Sequence, residues 1–366
     1  MRASRVPDAL NTICPYYTMF PVEFPLHQLR SARRNDVVLD PFCGRGTTIY
    51  AARKLRLRAV GVDSNPVAVA IAQAKLASVT PHEVVQAATK IVSCQRAAGV
   101  PLQGEFWKRC FDSDVLRTLC VIRNALIENC ATPARMALRA VILGALHGPR
   151  NKGVPSYFSN QMPRTFAAKP RYAVKFWKRR RLRPPSVDVL ALIRRRAEYY
   201  FKDVPALVEG EVHCADSREF VAPQHLRASW IITSPPYYGM RMYIPDQWLR
   251  YWFVGGPSEV KYSSETQLAH TSPEEFADQL SEVWENVGRN AVPGARMVVR
   301  FGGIHDRNVD PVEILRSSVT STECGWRLVT IRSAGLATSG KRQAQQFKRR
   351  LLEPMEEYDF FLRLDS

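Results

Sequence analysis

The stretch "IITSPPYYGM" at residues 231–240 sets two prolines directly behind an apolar run that otherwise reads as a strand. Proline offers a sheet no amide donor and biases its predecessor toward extended backbone, so Pro235 and Pro236 must end that strand. Ser234 and Tyr237 flank the pair, which gathers a hydroxyl, a carbonyl held by rigid rings and a flat aromatic face at one strand end. A second such place is "DPFCGRGTT" at residues 40–48, where Gly44 and Gly46 let the backbone take unusual dihedrals and lie close to a ligand. It is not a dinucleotide fingerprint, because Ile49 stands where a third glycine is wanted, and it lacks the Gly-Lys-Ser/Thr ending of a phosphate-binding Walker loop. Asp63 and Asp216 end two further apolar runs. There the first could accept from both hydroxyls of an adenosyl ribose, and the second from an adenine amino group.

The elements that must position these residues follow from the pattern around them. "NDVVLDPFCGRGTTIYAARKLRLRAVGVDSNPVAVAIAQAKLA" reads as strand, Gly-bearing turn, helix, strand and helix, with Asn65 as cap and Pro66 at the first helical position. From Pro81 to about Val204 the pattern is helical, with helices expected at 81–98, 113–130, 134–147 and 186–202 around a basic, aromatic loop. Strands return at 211–217, 229–236, 295–302, 327–334 and 358–364, with helices at 273–290 and near 311–323 between them. Seven strands in all predict one open, mostly parallel α/β sheet ending in an antiparallel pair, interrupted after its second helix by a helical, basic insertion. Residues 1–79 and 206–366 would form the sheet domain and 80–205 the insertion.

Composition narrows the partners. The 366 residues carry 52 Lys and Arg against 34 Asp and Glu, a formal charge of +18, which suits a polyanion. Residues 150–202 alone hold fifteen of those cations against Asp188 and Glu198, and interleave them with Tyr157, Phe158, Phe166, Tyr172, Phe176 and Trp177. Mixing of that kind suits phosphate neutralisation with stacking on bases, and Arg164, Arg171, Lys175, Lys178, Arg179, Arg180 and Arg181 are the expected contacts. The eight cysteines show no metal-ligand spacing, no metal is expected, and there is no long apolar run or signal peptide. A cytoplasmic, nucleoid-associated protein with no membrane partner is the expectation.

"DPFCGRGTT" together with "TSPPY" resembles the amino-group DNA methyltransferases, which use S-adenosylmethionine to methylate cytosine N4 or adenine N6. The resemblance implies a Rossmann-like class I methyltransferase fold. It also implies that the turn of Asp40, Pro41, Phe42, Cys43, Gly44, Gly46, Thr47 and Thr48 holds the methionine part of the cofactor. By the same resemblance Asp63, with Ser64 and Asn65, serves the ribose and Asp216, with Ser217, the adenine. "YYTMFPVEFPLHQL" looks like the family's lead-in to the first strand.

Exocyclic amines of nucleobases are poor nucleophiles because their lone pairs are delocalised. The Ser234 oxygen and the Pro235 carbonyl could hold the amine, and Tyr237 could supply a face for a base taken out of its stack. In the family the residue before the two prolines tends to be Ser in cytosine N4 enzymes and Asp in most adenine N6 enzymes, so Ser234 favours N4-methylcytosine in double-stranded DNA. Adenine N6 methylation, an RNA base-amino methyltransferase and a nucleic-acid-binding module with a vestigial cofactor site are the alternatives. The C5-cytosine class needs a Pro-Cys nucleophile, whereas Cys14 precedes Pro15 and Cys43 lies in the glycine turn. The sequence leaves open whether a cognate restriction or defence protein accompanies this chain, in which no nuclease constellation is evident. The glycine turn preceding the tetrad, and an insertion after the second helix, depart from the family's commoner arrangements.

Overall fold

The computed structural model describes residues 8–16, 20–94, 102–151, 153–239, 245–260, 268, 270–303, 309–320, 325–336 and 356–365. It divides into two compact units. One comprises Met19–Asn65, Val208–Arg241 and Glu265–Ser366 and carries every strand among the described residues. The other comprises Met1–Thr18, Pro66–Leu207 and Met242–Ser264 and is helical.

The sheet unit has seven strands: β1 (Val37–Asp40), β2 (Arg58–Asp63), β3 (Gly210–Cys214), β4 (Ala228–Thr233), β5 (Ala291–Gly302), β6 (Trp326–Leu336) and β7 (Glu356–Leu364). Their order is β3-β2-β1-β4-β5-β7-β6. The first five pair in parallel, and β7 lies antiparallel to both β5 and β6. This is the expected α/β architecture, with the reversed strand inserted between its neighbours. All four residues of β1 are buried, the continuous apolar run of a strand covered on both faces. From β1 the chain winds outward through β2 to β3, then returns to place β4 on the other side of β1. The ends of β1 and β4 therefore flank a topological switch point, where open α/β sheets form their crevice.

Helices α1 (Glu23–Gln28), α2 (Thr47–Lys54), α11 (Pro273–Arg289) and α12 (Pro311–Thr320) complete this unit. Helix α11 starts where the Ser272 hydroxyl accepts from the Glu275 amide at 3.1 Å, with Pro273 in its first turn. The buried indoles of Trp284 and Trp326 donate to the Ser318 hydroxyl and the Trp284 carbonyl, both at 3.0 Å. Both rings thus reach the core with their polar edges satisfied.

The helical unit holds α3 (Pro66–Leu76), α4 (Pro81–Cys94), α5 (Glu105–Cys110), α6 (Ser113–Glu128), α7 (Pro133–Ala145), α8 (Pro170–Arg179), α9 (Val189–Phe201) and α10 (Trp248–Phe253). It takes in more chain than residues 80–205, gaining α3 and α10. The basic stretch expected as a loop is different in kind. Its middle is helix α8, and Tyr157, Phe158 and Trp177 are buried. The segment before α8 is pinned from inside: the Gln161 side-chain amide donates to the Ala168 carbonyl at 3.1 Å and accepts from its amide at 3.2 Å. The Arg250 guanidinium, 0 % exposed, donates to the carbonyls of Leu143, Pro15, Thr165 and Arg164 at 3.1, 3.0, 3.3 and 2.7 Å. Trp248, Trp252 and Phe253 of α10 are likewise core residues. Among the described residues no helix is long and apolar enough to cross a membrane.

Candidate active site

The glycine turn is built from the end of β1. Gly44 and Gly46 have φ of 49° and 76°, the left-handed region that only glycine enters cheaply, and Gly46 caps α2. The turn lies against β2: the Cys43 amide donates to the Val62 carbonyl at 2.9 Å, and a β-carbon on Gly61 would stand 3.1 Å from the Cys43 sulfur. Asp63, at the end of β2, accepts the Gly44 amide on one oxygen and the Asn65 amide on the other, each at 2.8 Å. Loss of water contact raises its carboxyl to about 6, against the pull of those two amides.

Asp40 is 1 % exposed. It accepts from the Thr233 hydroxyl at 2.7 Å and from the Phe42 amide at 3.1 Å, while burial lifts its carboxyl to about 6. The Thr48 hydroxyl donates to the Ile232 carbonyl at 3.3 Å. These bonds stitch the glycine turn to the last residues of β4, so "DPFCGRGTT" and "TSPPY" sit side by side at the switch point. Phe42 packs edge-on against Trp284, with centroids 6.3 Å apart, and Thr47 is buried in the first turn of α2.

Beyond Thr233, Pro235 is buried and Ser234, Pro236 and Tyr237 are half-buried. The Tyr237 hydroxyl donates to a Glu357 oxygen at 2.6 Å, and its ring meets Phe301 edge-on at 5.4 Å. Burial, then the Glu357 carboxylate, hold the phenol well above its ordinary range, while a hydrogen bond to Ser234 acts the other way. Ser234, Tyr237 and Glu357 thus form one linked group. Gly302 makes room for it, because a β-carbon there would stand 3.1 Å from Glu357 Cγ and 3.3 Å from Tyr237 Cε2. On the same strand Arg300 binds Asp359 through two bonds of 2.8 Å and lies 3.8 Å above the Phe24 ring of α1.

At the third strand end the carboxylate has a partner within the chain. The Asp216 carboxylate accepts from Arg218 through its backbone amide (2.9 Å), Nε (3.0 and 3.2 Å) and Nη2 (2.6 Å), which occupies its acceptor positions. Arg218 holds that carboxyl below its ordinary value. The neighbouring Ser217 hydroxyl donates to the Pro41 carbonyl, and the Asn286 side chain donates to the Ser217 carbonyl at 3.0 Å. Ser64 is half-buried, and Asn65 is buried immediately before α3.

The residues present fit S-adenosylmethionine. Left-handed glycines keep side chains out of the turn, and each Asp63 oxygen retains a lone pair for a ribose hydroxyl. Glu357 and Gly302 escaped the sequence reading. The signal was present, since an acid at a buried, alternating position of an apolar strand demands a partner. The partner lies 120 residues away.

The expected nucleic-acid contacts belong to the helical unit. Arg171, Lys175, Lys178, Arg179 and Arg180 are exposed on or just beyond α8, and Arg164 is exposed on the pinned segment before it. Lys178 pairs with Glu105 at 2.6 Å. Arg181 closes the helix at φ 51°, with the Leu182 amide donating to the Trp177 carbonyl at 2.9 Å.

Residues 8–74 match the family model of a DNA methylase. The match takes in the glycine turn and Asp63 and ends before the tetrad. No curated protein matches the sequence. Among solved structures, the chain is similar to a SAM-dependent methyltransferase from Methanosarcina mazei at 8% identity and a TM-score of 0.35, over 95% of this chain and 99% of that one. It is also similar to the rRNA methyltransferase aviRa from Streptomyces viridochromogenes at 12% identity and a TM-score of 0.34, over 97% of this chain and 89% of that one. Likeness at this level bears on neither substrate nor activity.

Proposed function

We propose that this chain transfers a methyl group from S-adenosylmethionine to the N4 amine of a cytosine in a specific sequence of double-stranded DNA. The observation that carries the reading is the Thr233–Asp40 hydrogen bond of 2.7 Å, which ties the residue before Ser234 to the head of the glycine turn. The DNA methylase match over residues 8–74 supports both cofactor and substrate class.

The cofactor supplies an electrophilic methyl group. The chain's own residues hold and orient. Asp63 accepts the ribose hydroxyls, and the turn around Gly44 and Gly46 carries the methionine part close to the backbone. Asp216 accepts an adenine amine only once Arg218 has swung aside. Ser234 Oγ and the Pro235 carbonyl take hydrogen bonds from the two amine hydrogens, which draws the nitrogen lone pair out of conjugation and aims it at the methyl group. Tyr237, braced by Glu357, backs a base turned out of the duplex. Rate comes from position and water exclusion, and no strong base is required, because the methylated amine is cationic and acidic and releases its surplus proton to water as the neutral thioether product departs. Ser234 rather than Asp at this position favours cytosine over adenine. The cationic surface of the helical unit holds the DNA backbone.

Ser234→Ala tests the assignment. We expect kcat to fall about 100-fold, within the range for removal of an orienting or charge-stabilising hydrogen bond, with cofactor affinity within about twofold of the parent. Near-normal turnover by the variant overturns the role of Ser234.

A further inference from the structure

We infer that the outer face of α8 is a stacking platform for unpaired DNA, a reading that rests on the nucleic-acid substrate proposed above and adds the strand state it grips. Helix α8 buries Ala173 and Trp177, and Trp177 packs on Phe106 of α5 with centroids 5.5 Å apart. On its outer side Tyr172, Phe176 and Arg180 recur every four residues and form one ladder. The two rings lie nearly parallel, 18° apart with centroids at 6.5 Å, and the Arg180 guanidinium stands 4.9 Å from the Phe176 ring. Tyr172 is 67 % exposed, a large flat surface turned to water at the head of the ladder.

Its surroundings identify the occupant. No acid lies between Arg150 and Asp188, while Arg171, Lys175, Arg179 and Arg181 accompany the ladder. That charge calls for a polyanion, and the rings call for one with flat faces to stack. A cavity of about 460 Å³ lined by Phe106, Arg171, Lys175 and Lys178, together with Glu105, which pairs with Lys178 at 2.6 Å, lies along the helix's other flank. In a duplex both faces of every base are covered by neighbours, so a stacking ladder gains nothing there. An unpaired nucleotide leaves a face open. Helix α8 also contains no Asn, Gln, Asp, Glu, Ser or Thr with which to read adenine or cytosine edges. Guanine is the base whose edge its Arg and Lys side chains suit, so its grip rests mainly on phosphates and base faces, and it acts where a duplex is opened, as the removal of one base from its stack requires.

The test uses the full chain and fluorescein-labelled 20-nucleotide DNA, single-stranded or annealed to its complement, with fluorescence anisotropy as the readout. Tyr172→Ala removes an exposed ring that the fold does not need, and Tyr172→Trp restores a stacking face. We expect Tyr172→Ala to weaken single-strand binding about tenfold and duplex binding less than twofold, with Tyr172→Trp close to the parent. Equal losses on both strand forms, no loss on either, or tighter binding of the same sequence as RNA overturns the platform. Failure of the parent to bind any of these nucleic acids overturns it together with the substrate reading. Intact ladder-dependent binding without methyl transfer leaves the platform standing and removes the catalytic proposal.

Discussion

Asp63 carries two jobs at once. It locks the turn by taking the Gly44 and Asn65 amides, and in the proposed function it takes the ribose hydroxyls with what acceptor capacity remains. Its carboxyl titrates near 6 because burial outweighs those bonds. Only the ionised form offers the stronger charge-assisted acceptor. Cofactor affinity in the parent is therefore expected to fall as pH drops from 7 through about 6 to 5. Asp63→Asn should bind the cofactor about 10- to 100-fold more weakly at pH 7, the worth of hydrogen bonds to a charged group, and show little pH dependence over that range. Calorimetric titration at pH 5, 6 and 7 checks both, and a parent affinity that is flat with pH contradicts the assignment. The same shift has the opposite sign for folding. A carboxyl whose folded value is raised holds its proton longer in the folded state, so its contribution to stability declines as pH rises from about 4 to about 6. Asp40, whose carboxyl burial also raises to about 6, acts in the same direction.

Strand β7 decides whether the tetrad keeps its shape. It pairs Glu357 with Gly302 of β5, and the absent side chain at 302 lets Glu357 and Tyr237 meet. Gly302→Ala should push Tyr237 off Glu357. We expect turnover to drop at least tenfold while the melting temperature changes by only a few degrees, and unchanged turnover in a folded variant contradicts the account. The sheet was legible in the sequence because parallel strands are buried on both sides and announce themselves as short apolar runs between polar turns. β3 and β4 each start one residue before the expected 211 and 229. The glycine turn and tetrad were legible too, as chemistry packed into a few adjacent residues. Helix α8 was not. Its start was signalled by Pro170 in the first turn, yet the cations around it read as a solvated loop, and what buries Trp177 is α5, some 70 residues earlier. Glu357 was hidden for the same reason, since its significance lies in a partner that local pattern does not contain.

The proposed function divides between the two units, its cofactor and amine groups falling in the sheet unit and the excess positive charge in the helical unit. That separation predicts that charge and chemistry can be damaged independently. Reversing Lys175, Arg179 and Arg180 to Glu should weaken duplex binding by more than 100-fold and reduce the slope of log affinity against log salt by about three, one unit for each phosphate no longer neutralised. Cofactor affinity should stay within about twofold, and undiminished duplex affinity contradicts the role given to this surface. The central claim is methyl transfer to an exocyclic amine at the β1–β4 switch point. Incubation with duplex genomic DNA and cofactor labelled in its methyl group, followed by digestion and mass identification of the modified nucleoside, tests it most directly. The account predicts labelled N4-methylcytosine, sharply reduced with Ser234→Ala, whereas C5-methylcytosine or DNA without label would contradict it.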